Sequence, residues 1–182
     1  MTEHTPVKRG TLFLIVGPSG AGKDTLIAAA RKELSRTHVF PRRTITRPSV
    51  KDAEDHVSKT VPEFDRLVSE RQFALTWKAH NLQYGIPASI EDELKGGRHV
   101  VINVSRAVVD SARSQYRPSR TILVTASPAA LRTRLVARGR EVPSDLESRL
   151  AREQRDVRPD VTVENEASLE TAIAAFVKAL HC

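Results

Sequence analysis

The residues with the clearest chemistry are three glycines and a lysine near the N-terminus. Gly17, Gly20 and Gly22 precede Lys23 in the segment GPSGAGKDT, residues 17–25. Glycine adopts positive φ and lets the backbone approach a ligand closely, so successive amide N–H groups can point at phosphate oxygens. The G-x-x-x-x-G-K spacing also lets a lysine reach the β- and γ-phosphates of a nucleotide. The segment therefore predicts a phosphate-binding loop.

Asp24 stands where this loop pattern usually has serine or threonine to hold Mg²⁺. A carboxylate is also a good hard-oxygen ligand, although an acid in a first helical turn can serve the helix dipole alone. We predict that ATP and Mg²⁺ bind here, with Lys23 and Asp24 catalytic and with Asp24 and Thr25 as metal ligands. The residues expected to contact ATP in this loop are Gly17, Pro18, Ser19, Gly20, Ala21, Gly22, Lys23, Asp24 and Thr25.

Three arginines follow the loop within six residues, at Arg42, Arg43 and Arg47. A guanidinium group matches phosphate and carboxylate with two parallel hydrogen bonds. A solvated sheet edge is the alternative. Because these arginines follow a phosphate-binding loop, we expect them to bind phosphate.

The elements that must position these residues alternate between strand and helix. Apolar runs predict strands at 12–16, 99–104, 121–125 and 161–163, and helical spacing predicts helices at 23–36, 105–115, 128–137, 144–155 and 168–180. This order predicts an α/β fold with a mostly parallel sheet covered by helices on both faces.

The region between the first helix and residue 99 is less regular. We expect a strand at 38–45, a loop at 48–62, a helix at 63–71, two strands within 73–86 that turn at Asn81, and a helix that Pro87 starts and that ends at 94. No internal repeat is visible.

Composition restricts the partners. A chain of 182 residues fits one domain, and its net charge of +7 arises from 29 Lys and Arg against 22 acids. Only 4% of the residues are aromatic and the arginines lie in separated groups, which disfavours nucleic acid as the partner. Multiply phosphorylated small substrates need the same positive charge.

Other classes of protein are disfavoured too. The single cysteine, Cys182, excludes a disulfide framework, and the apolar runs are far shorter than the ~20 residues of a transmembrane helix. We therefore expect a cytoplasmic protein without a membrane partner, and the sequence leaves monomer and homodimer open.

Several motifs together resemble a known family. GPSGAGK after a hydrophobic strand, TRP at 46–48, EDH at 54–56, the segment 73–85 ending HNLQYG, and RLVARGRE at 134–141 are similar to the guanylate kinase group of nucleoside monophosphate kinases. More closely, GKDTL, RRTITRP, EDH, YGIP, NVSRA and ARGRE resemble the ribose 1,5-bisphosphate phosphokinases of phosphonate breakdown.

The resemblance implies a P-loop NTPase fold with inserted segments that bind the acceptor and close over it. It implies a core at about 10–36 and 97–182, an acceptor-binding subdomain at about 37–96 and a lid at about 137–145. A kinase of this kind would phosphorylate the 1-phosphate of ribose 1,5-bisphosphate, giving 5-phosphoribosyl 1-diphosphate, and guanylate kinase is the alternative. A phosphopeptide-binding module is disfavoured because the phosphate-binding loop is intact.

The resemblance also implies roles for residues outside the loop. The acceptor would contact Arg43, Arg47, Asp55, His56, Tyr84, Asn103 and Arg149. Arg138 and Arg140 of the lid would be catalytic, and Arg134 and Asn165 would contact ATP, Asn165 near the adenine. For Asp55 and His56 a solvated loop is the alternative.

Two residues depart from the guanylate kinase pattern. Leu75 stands near the position of an acid that pairs with guanine, and Asn103 stands where those kinases carry aspartate at a strand end. An unpaired guanine edge would disfavour GMP as the acceptor. We also hypothesise that the metal-binding carboxylate has moved from that strand end to Asp24; the alternative is that Asn103 only hydrogen-bonds a loop.

Overall fold

The structure is a computed structural model that describes residues 8–48, 55–79, 81–137, 158–166 and 168–181. Within these ranges the chain forms nine strands and six α-helices. In chain order they are β1 (Leu12–Val16), α1 (Lys23–Leu34), β2 (His38–Val39), β3 (Arg43–Ile45), β4 (His56–Ser58), α2 (Val61–Ser69), β5 (Phe73–Ala79), β6 (Leu82–Pro87), α3 (Ile90–Lys95), β7 (His99–Asn103), α4 (Val109–Gln115), β8 (Ser119–Thr125), α5 (Pro128–Ala137), β9 (Val161–Glu164) and α6 (Leu169–Leu180).

The larger sheet, sheet A, has the strand order β2-β7-β1-β8-β9, and all of its strands are parallel. β1 lies in the middle. The five residues of β1 are fully buried, because a parallel strand between helical layers loses solvent on both faces. The predicted mostly parallel sheet is confirmed.

Two apolar layers cover sheet A and take alternate residues of β1, as the two-residue period of a strand requires. Phe13 and Ile15 pack with α1 and α6 on one face. Leu12, Leu14 and Val16 pack on the other face with α3 and α4. Every second side chain of this strand therefore anchors a different helical layer, and the end of β1 is held firmly in place.

The smaller sheet, sheet B, has the order β4-β3-β6-β5 and covers part of the second layer. Its β5–β6 pair is antiparallel and turns at Asn81, as predicted. Leu75 of β5 and Ile86 of β6 join the same apolar cluster as β1. Sheet B is thus packed against the face of sheet A that carries α3 and α4.

Three sequence predictions for this region are wrong. The strand expected at 38–45 is two strands, β2 in sheet A and β3 in sheet B, separated by Pro41, which has no amide to donate to a ladder. Part of the loop expected at 48–62 is β4, which pairs in parallel with β3. Pro87 ends β6 instead of starting a helix, since the hairpin pairing continues to Phe73 opposite Pro87.

The other described elements lie close to their predicted positions, and α5 has the predicted bounds. α1 and α6, the longest described helices, have 12 residues each, and no described helix has the length and hydrophobicity to cross a bilayer.

Two histidines are packed at the outer edge of sheet A. His38 of β2 and His99 of β7 are neighbouring register partners, with ring centroids 4.8 Å apart. His38 Nε2 lies 3.0 Å from the carbonyl oxygen of Leu180 at the end of α6. Burial is the main cause that lowers the pKa of His38 and of His99 below the usual 6.5, and the charge of His181 contributes to both. The folded state therefore binds protons at these rings less readily than the unfolded chain does.

This pair predicts a pH-dependent stability. Because both pKa values are lower in the folded state, the unfolded chain takes up more protons as the pH falls below about 6.5. We expect the midpoint of thermal unfolding to drop between pH 7.5 and pH 5 and the drop to be smaller in His38→Phe. Lys32→Met is the control, because Lys32 is exposed in the last turn of α1 and the change leaves both packed rings in place. A pH profile of His38→Phe that equals the wild-type profile would contradict this account.

Candidate active site

The candidate site lies at the edge of sheet A where its parallel strands end. β1 ends at Val16, β7 at Asn103 and β9 at Glu164, so the residues that follow each strand meet at one edge. Ligands of open α/β sheets bind at this carboxyl edge. The fold thus brings together residues that are 60 to 144 positions apart in the sequence.

The phosphate-binding loop connects β1 to α1 as predicted. Gly17, Gly20 and Gly22 have φ of +148°, +83° and +87°, which residues other than glycine rarely adopt. Lys23 Nζ donates to the carbonyl oxygens of Gly17 and Pro18 at 2.6 and 2.8 Å. The ammonium group therefore lies over the loop that precedes it.

The N-terminus of α1 differs from those of two other helices. Thr60 caps α2 and Ser168 caps α6 through their side chains, whereas Gly22 at the start of α1 offers no side chain. The first amides of an α-helix have no partner inside the helix, and they attract anions. α1 therefore presents its first N–H groups beside Lys23, which suits the phosphates of ATP.

Asn165, in the loop after β9, holds the phosphate-binding loop through its side chain. It is 7% exposed, and its side-chain amide donates to the carbonyl oxygen of Ala21 at 2.8 Å. A Cβ at Gly22 would collide with that same amide. Arg134 Nη2 in turn donates to the backbone carbonyl of Asn165 at 2.7 Å. Asn165 thus has a protein partner in the loop, and the predicted contact with adenine stays a prediction.

Asp24 and Asn103 are in direct contact across the site. Asn103 Nδ2 donates to Asp24 Oδ1 at 2.8 Å, so the strand end and the first turn of α1 are tied together. Asn103 therefore contacts the carboxylate named in the hypothesis, and this carboxylate lies on the first turn of α1. Whether Asp24 holds a metal stays a prediction.

Arg43 connects sheet B to this pair. Its Nη1 donates to the carbonyl oxygen of Asn103 at 3.0 Å, and its Nη2 lies 4.0 Å from Asp24 Oδ1. Burial lowers the pKa of the Arg43 guanidinium below its usual range, while the Asp24 carboxylate and Tyr84 act in the opposite direction. Its side chain is only 13% exposed. A buried guanidinium of this kind attracts anions strongly, because little solvent screens it.

Tyr84 lies on β6 of sheet B, and Arg47 follows β3 of the same sheet by two residues. Tyr84 of β6 pairs with Ile45 of β3, and its ring stacks on Trp77 with centroids 5.1 Å apart and planes 5° from parallel. Arg43 on β3 and Tyr84 on β6 therefore lie on neighbouring strands, with Arg47 just beyond the end of β3. The predicted acceptor residues Arg43, Arg47, Tyr84 and Asn103 are thus brought together.

Asp55 and His56 are engaged by protein groups. Asp55 Oδ1 pairs with Arg42 Nε at 2.7 Å and its Oδ2 with Arg31 at 3.5 Å. His56 is 5% exposed, and its Nε2 lies 3.3 Å from the carbonyl oxygen of Arg47. These contacts stabilise the edge of sheet B. The predicted contacts of both residues with a sugar stay predictions.

The remaining predicted residues divide into three cases. Thr25 is exposed on the first turn of α1. Arg138, Arg140 and Arg149 lie outside the described residues, as does most of the predicted lid. Leu75 is only 5% exposed and belongs to the apolar cluster beneath sheet B. The argument against guanine from this position stays a prediction.

The donor set fits a nucleotide with Mg²⁺ better than a metal held by protein alone. Among the described residues no group of three His, Cys, Asp or Glu could hold a metal. Mg²⁺ usually takes one or two carboxylates together with substrate phosphates. Asp24, half exposed at 52% and adjacent to the uncapped start of α1, fits that mode.

Sequence reasoning missed two parts of the site. It did not find that Asn165 holds the loop through Ala21, nor that Arg43 binds the carbonyl of Asn103. The two contacts join residues that are 144 and 60 positions apart, and no local sequence pattern encodes them. Their strand-end positions were the only usable signal.

Comparisons with known proteins identify the family of this chain. The family model for guanylate kinase matches residues 9–181. The ribose 1,5-bisphosphate phosphokinase of Acidiphilium cryptum (strain JF-5) is 50% identical over 172 residues, which cover 93% of this chain and 92% of that protein. The enzyme of the same name from Brucella melitensis biotype 2 (strain ATCC 23457) is 42% identical and covers 100% of this chain and 96% of its own.

A solved structure shows the same fold. The guanylate kinase of Anaplasma phagocytophilum superposes with a TM-score of 0.71, at 19% identity, over 94% of this chain and 86% of that one. At this identity the likeness shows the fold alone. It confirms the predicted P-loop NTPase architecture.

The contact of Asn165 with the loop leads to a prediction. We expect Asn165→Ala to weaken binding of ATP about tenfold, because Ala21 loses a buried hydrogen bond worth roughly 1–1.5 kcal/mol. The measurement is isothermal titration calorimetry with ATP and with inorganic tripolyphosphate, which has no adenine. If Asn165 holds the loop, the variant binds both ligands more weakly than the wild type does.

The control for this variant is Asn81→Gly, at an exposed turn with φ of +59° where glycine fits. It should bind both ligands as the wild type does. A loss with ATP that is absent with tripolyphosphate would assign Asn165 to the adenine and contradict the role in the loop.

Proposed function

Since the chain belongs to the guanylate kinase family, we propose that it is the kinase that phosphorylates the 1-phosphate of ribose 1,5-bisphosphate with ATP, giving 5-phosphoribosyl 1-diphosphate. Its partners are ATP and this small sugar phosphate, and it acts in the cytoplasm in phosphonate catabolism. Neither nucleic acid nor a membrane takes part.

One observation carries the choice of acceptor. Over 93% of its length the chain is 50% identical to a protein named ribose 1,5-bisphosphate phosphokinase, and further relatives with that name are 39% to 44% identical. The solved guanylate kinase is only 19% identical. The sugar bisphosphate is therefore favoured over GMP.

The arrangement of charges suits transfer between two phosphate groups. Lys23 and the start of α1 occupy one side, while Arg43 and its neighbours on sheet B occupy the other. Phosphoryl transfer depends on positioning and on neutralising the charge of the equatorial oxygens. A site built from backbone amides, one ammonium and guanidinium groups supplies both.

The reaction needs no general base. An oxygen of the acceptor's 1-phosphate, already anionic, attacks the γ-phosphorus of ATP; the new O–P bond forms as the bond to the β,γ-bridging oxygen breaks, and ADP leaves. Lys23 neutralises the β- and γ-oxygens, and Arg43 and Arg47 hold the acceptor phosphate. These residues hold the two anions close together and aligned. In solution, bringing reactants into that arrangement makes up a large part of the free-energy barrier.

Asp24, with Thr25 beside it, would hold Mg²⁺. When bound, the ion supplies positive charge to the phosphate oxygens. Asn103 orients the Asp24 carboxylate through its amide. Arg134, held against the loop through Asn165, faces the same edge of the sheet. In this proposal the lid arginines Arg138 and Arg140, together with Arg149, contact the phosphoryl group that is transferred.

The second candidate is a guanylate kinase, which the matching family model and the shared fold favour. It differs only in the group that carries the acceptor phosphate. Arg43 and Arg47 recognise phosphate in either case, so activity with each acceptor must decide.

We expect purified protein with ATP and Mg²⁺ to convert ribose 1,5-bisphosphate at a kcat/KM at least ~100-fold above that for GMP, a ratio within the range that substrate-binding sites achieve. ADP release is measured by a coupled assay, and the diphosphate product by ³¹P NMR. A higher kcat/KM for GMP would overturn the proposed acceptor in favour of guanylate kinase.

The phosphate-binding loop gives a second prediction. Lys23→Met should lower kcat about 10²- to 10³-fold, since one preorganised donor to the developing charge is lost. Lys32→Met is the matched control, because Lys32 is exposed in the last turn of the same helix. Circular dichroism checks that both variants fold. Turnover by Lys23→Met equal to that of the control would contradict the assigned role of the ammonium group.

A further inference from the structure

Three side chains from three elements meet between the two halves of the site. Asp24 lies on α1, Asn103 at the end of β7 and Arg43 at the start of β3. Asn103 is the centre of the group: its amide donates to Asp24 Oδ1 at 2.8 Å, and its carbonyl accepts from Arg43 Nη1 at 3.0 Å. Arg43 Nη2 is also 4.0 Å from that same oxygen of Asp24. One carboxylate oxygen therefore faces both the amide and the guanidinium.

The Asp24 carboxylate acts on Arg43 across a weakly screened gap. The Arg43 side chain is 13% exposed and that of Asp24 52%. Charges at 4 Å interact several-fold more strongly near a protein surface than in bulk water. An anion that reaches Arg43 therefore meets the negative charge of Asp24 as well as the positive charge of the guanidinium.

Asn103 decides how much negative charge collects here. Its neutral amide donates to Asp24 Oδ1 at 2.8 Å and adds no second negative charge. An acid at this position would put two carboxylates in contact, and their negative charges would repel each other. The amide therefore limits this part of the site to a single carboxylate.

We propose that Asp24 is a positioning residue that makes binding of the acceptor phosphate depend on a divalent cation. Without the cation, the negative charge of Asp24 offsets the positive charge of Arg43 and repels the acceptor phosphate. With the cation on Asp24, Arg43 is available to the acceptor phosphate. This inference rests on the proposed function, since it takes Arg43 as a ligand of that phosphate.

The dependence must be reciprocal. If Mg²⁺ raises affinity for the acceptor, the acceptor raises affinity for Mg²⁺ by the same factor. The effect needs no ATP, because one carboxylate together with the acceptor's own phosphate is a usual set of ligands for Mg²⁺. Binding experiments without nucleotide can therefore isolate it from catalysis.

The test is calorimetric titration of ribose 1,5-bisphosphate into the full chain, without nucleotide, in the presence and absence of Mg²⁺. For the wild type we expect Mg²⁺ to lower Kd about tenfold, a usual size for coupled sites. Asp24→Asn keeps the shape and removes the charge. It should bind the acceptor without Mg²⁺ as tightly as the wild type binds with it, and Mg²⁺ should change its Kd less than twofold.

Two further variants sharpen the result. Asp110→Asn on α4 removes an exposed carboxylate outside this group and should keep the tenfold response of the wild type. Asn103→Asp adds a carboxylate beside Asp24, so it should bind the acceptor more weakly without Mg²⁺ and respond to Mg²⁺ more strongly than the wild type. Trp77, the single tryptophan of the chain, stacks on Tyr84 and gives an independent fluorescence signal.

The outcomes separate the two proposals. If Asp24→Asn keeps the full Mg²⁺ response, the cation acts on the ligand in solution and the inference is overturned. If the wild type binds GMP but not ribose 1,5-bisphosphate, the proposed acceptor is wrong, and GMP becomes the titrant in the same experiments. Loss of the Mg²⁺ response in Asp24→Asn would then still support the role of Asp24, and an unchanged response would overturn it.

Discussion

The start of helix α1 is the constraint on which the rest of the site depends. Gly22 immediately precedes α1 with φ of +87° and no capping side chain, so the first amides of the helix are left for a ligand. This arrangement requires a loop held rigidly from outside. β1 provides one anchor, since its five residues are buried on both faces of sheet A. Asn165 provides another through the carbonyl of Ala21, in the space that a Cβ at Gly22 would occupy.

The second feature that shapes the site is the junction between the sheets. Sheet B packs on the apolar layer beneath β1, and Arg43 reaches from its strand β3 to the end of β7. A guanidinium that is mostly removed from solvent carries a positive charge into this junction, and Asp24 and the carbonyl of Asn103 stabilise it. The two sheets thus contribute charged groups to one junction. Phosphoryl transfer between two anions depends on such positioning and on neutralising negative charge.

Much of the sheet and the loop could be predicted from the chain. The run from Leu12 to Val16 had to be a central strand, since five consecutive apolar residues fit a position covered on both sides. The glycine spacing before Lys23 then required a tight turn into a helix. The region from 38 to 87 was harder to predict. Its strands β3 and β4 have three residues each and pair with distant partners, so no local period indicates them.

The site shows the same division. Residue type and spacing by themselves determined the phosphate-binding loop, the acid at position 24 and the arginines that follow, because each depends on local backbone geometry or on the charge a side chain carries. Tertiary structure decided that Asn103 bonds Asp24, that Arg43 spans the junction, that Asp55 and His56 bind neighbouring protein groups and that Leu75 lies in the core. These contacts depend on which strands become neighbours and on which face each side chain occupies. Both are set by burying apolar surface across the whole chain, so no short segment of the sequence can reveal them.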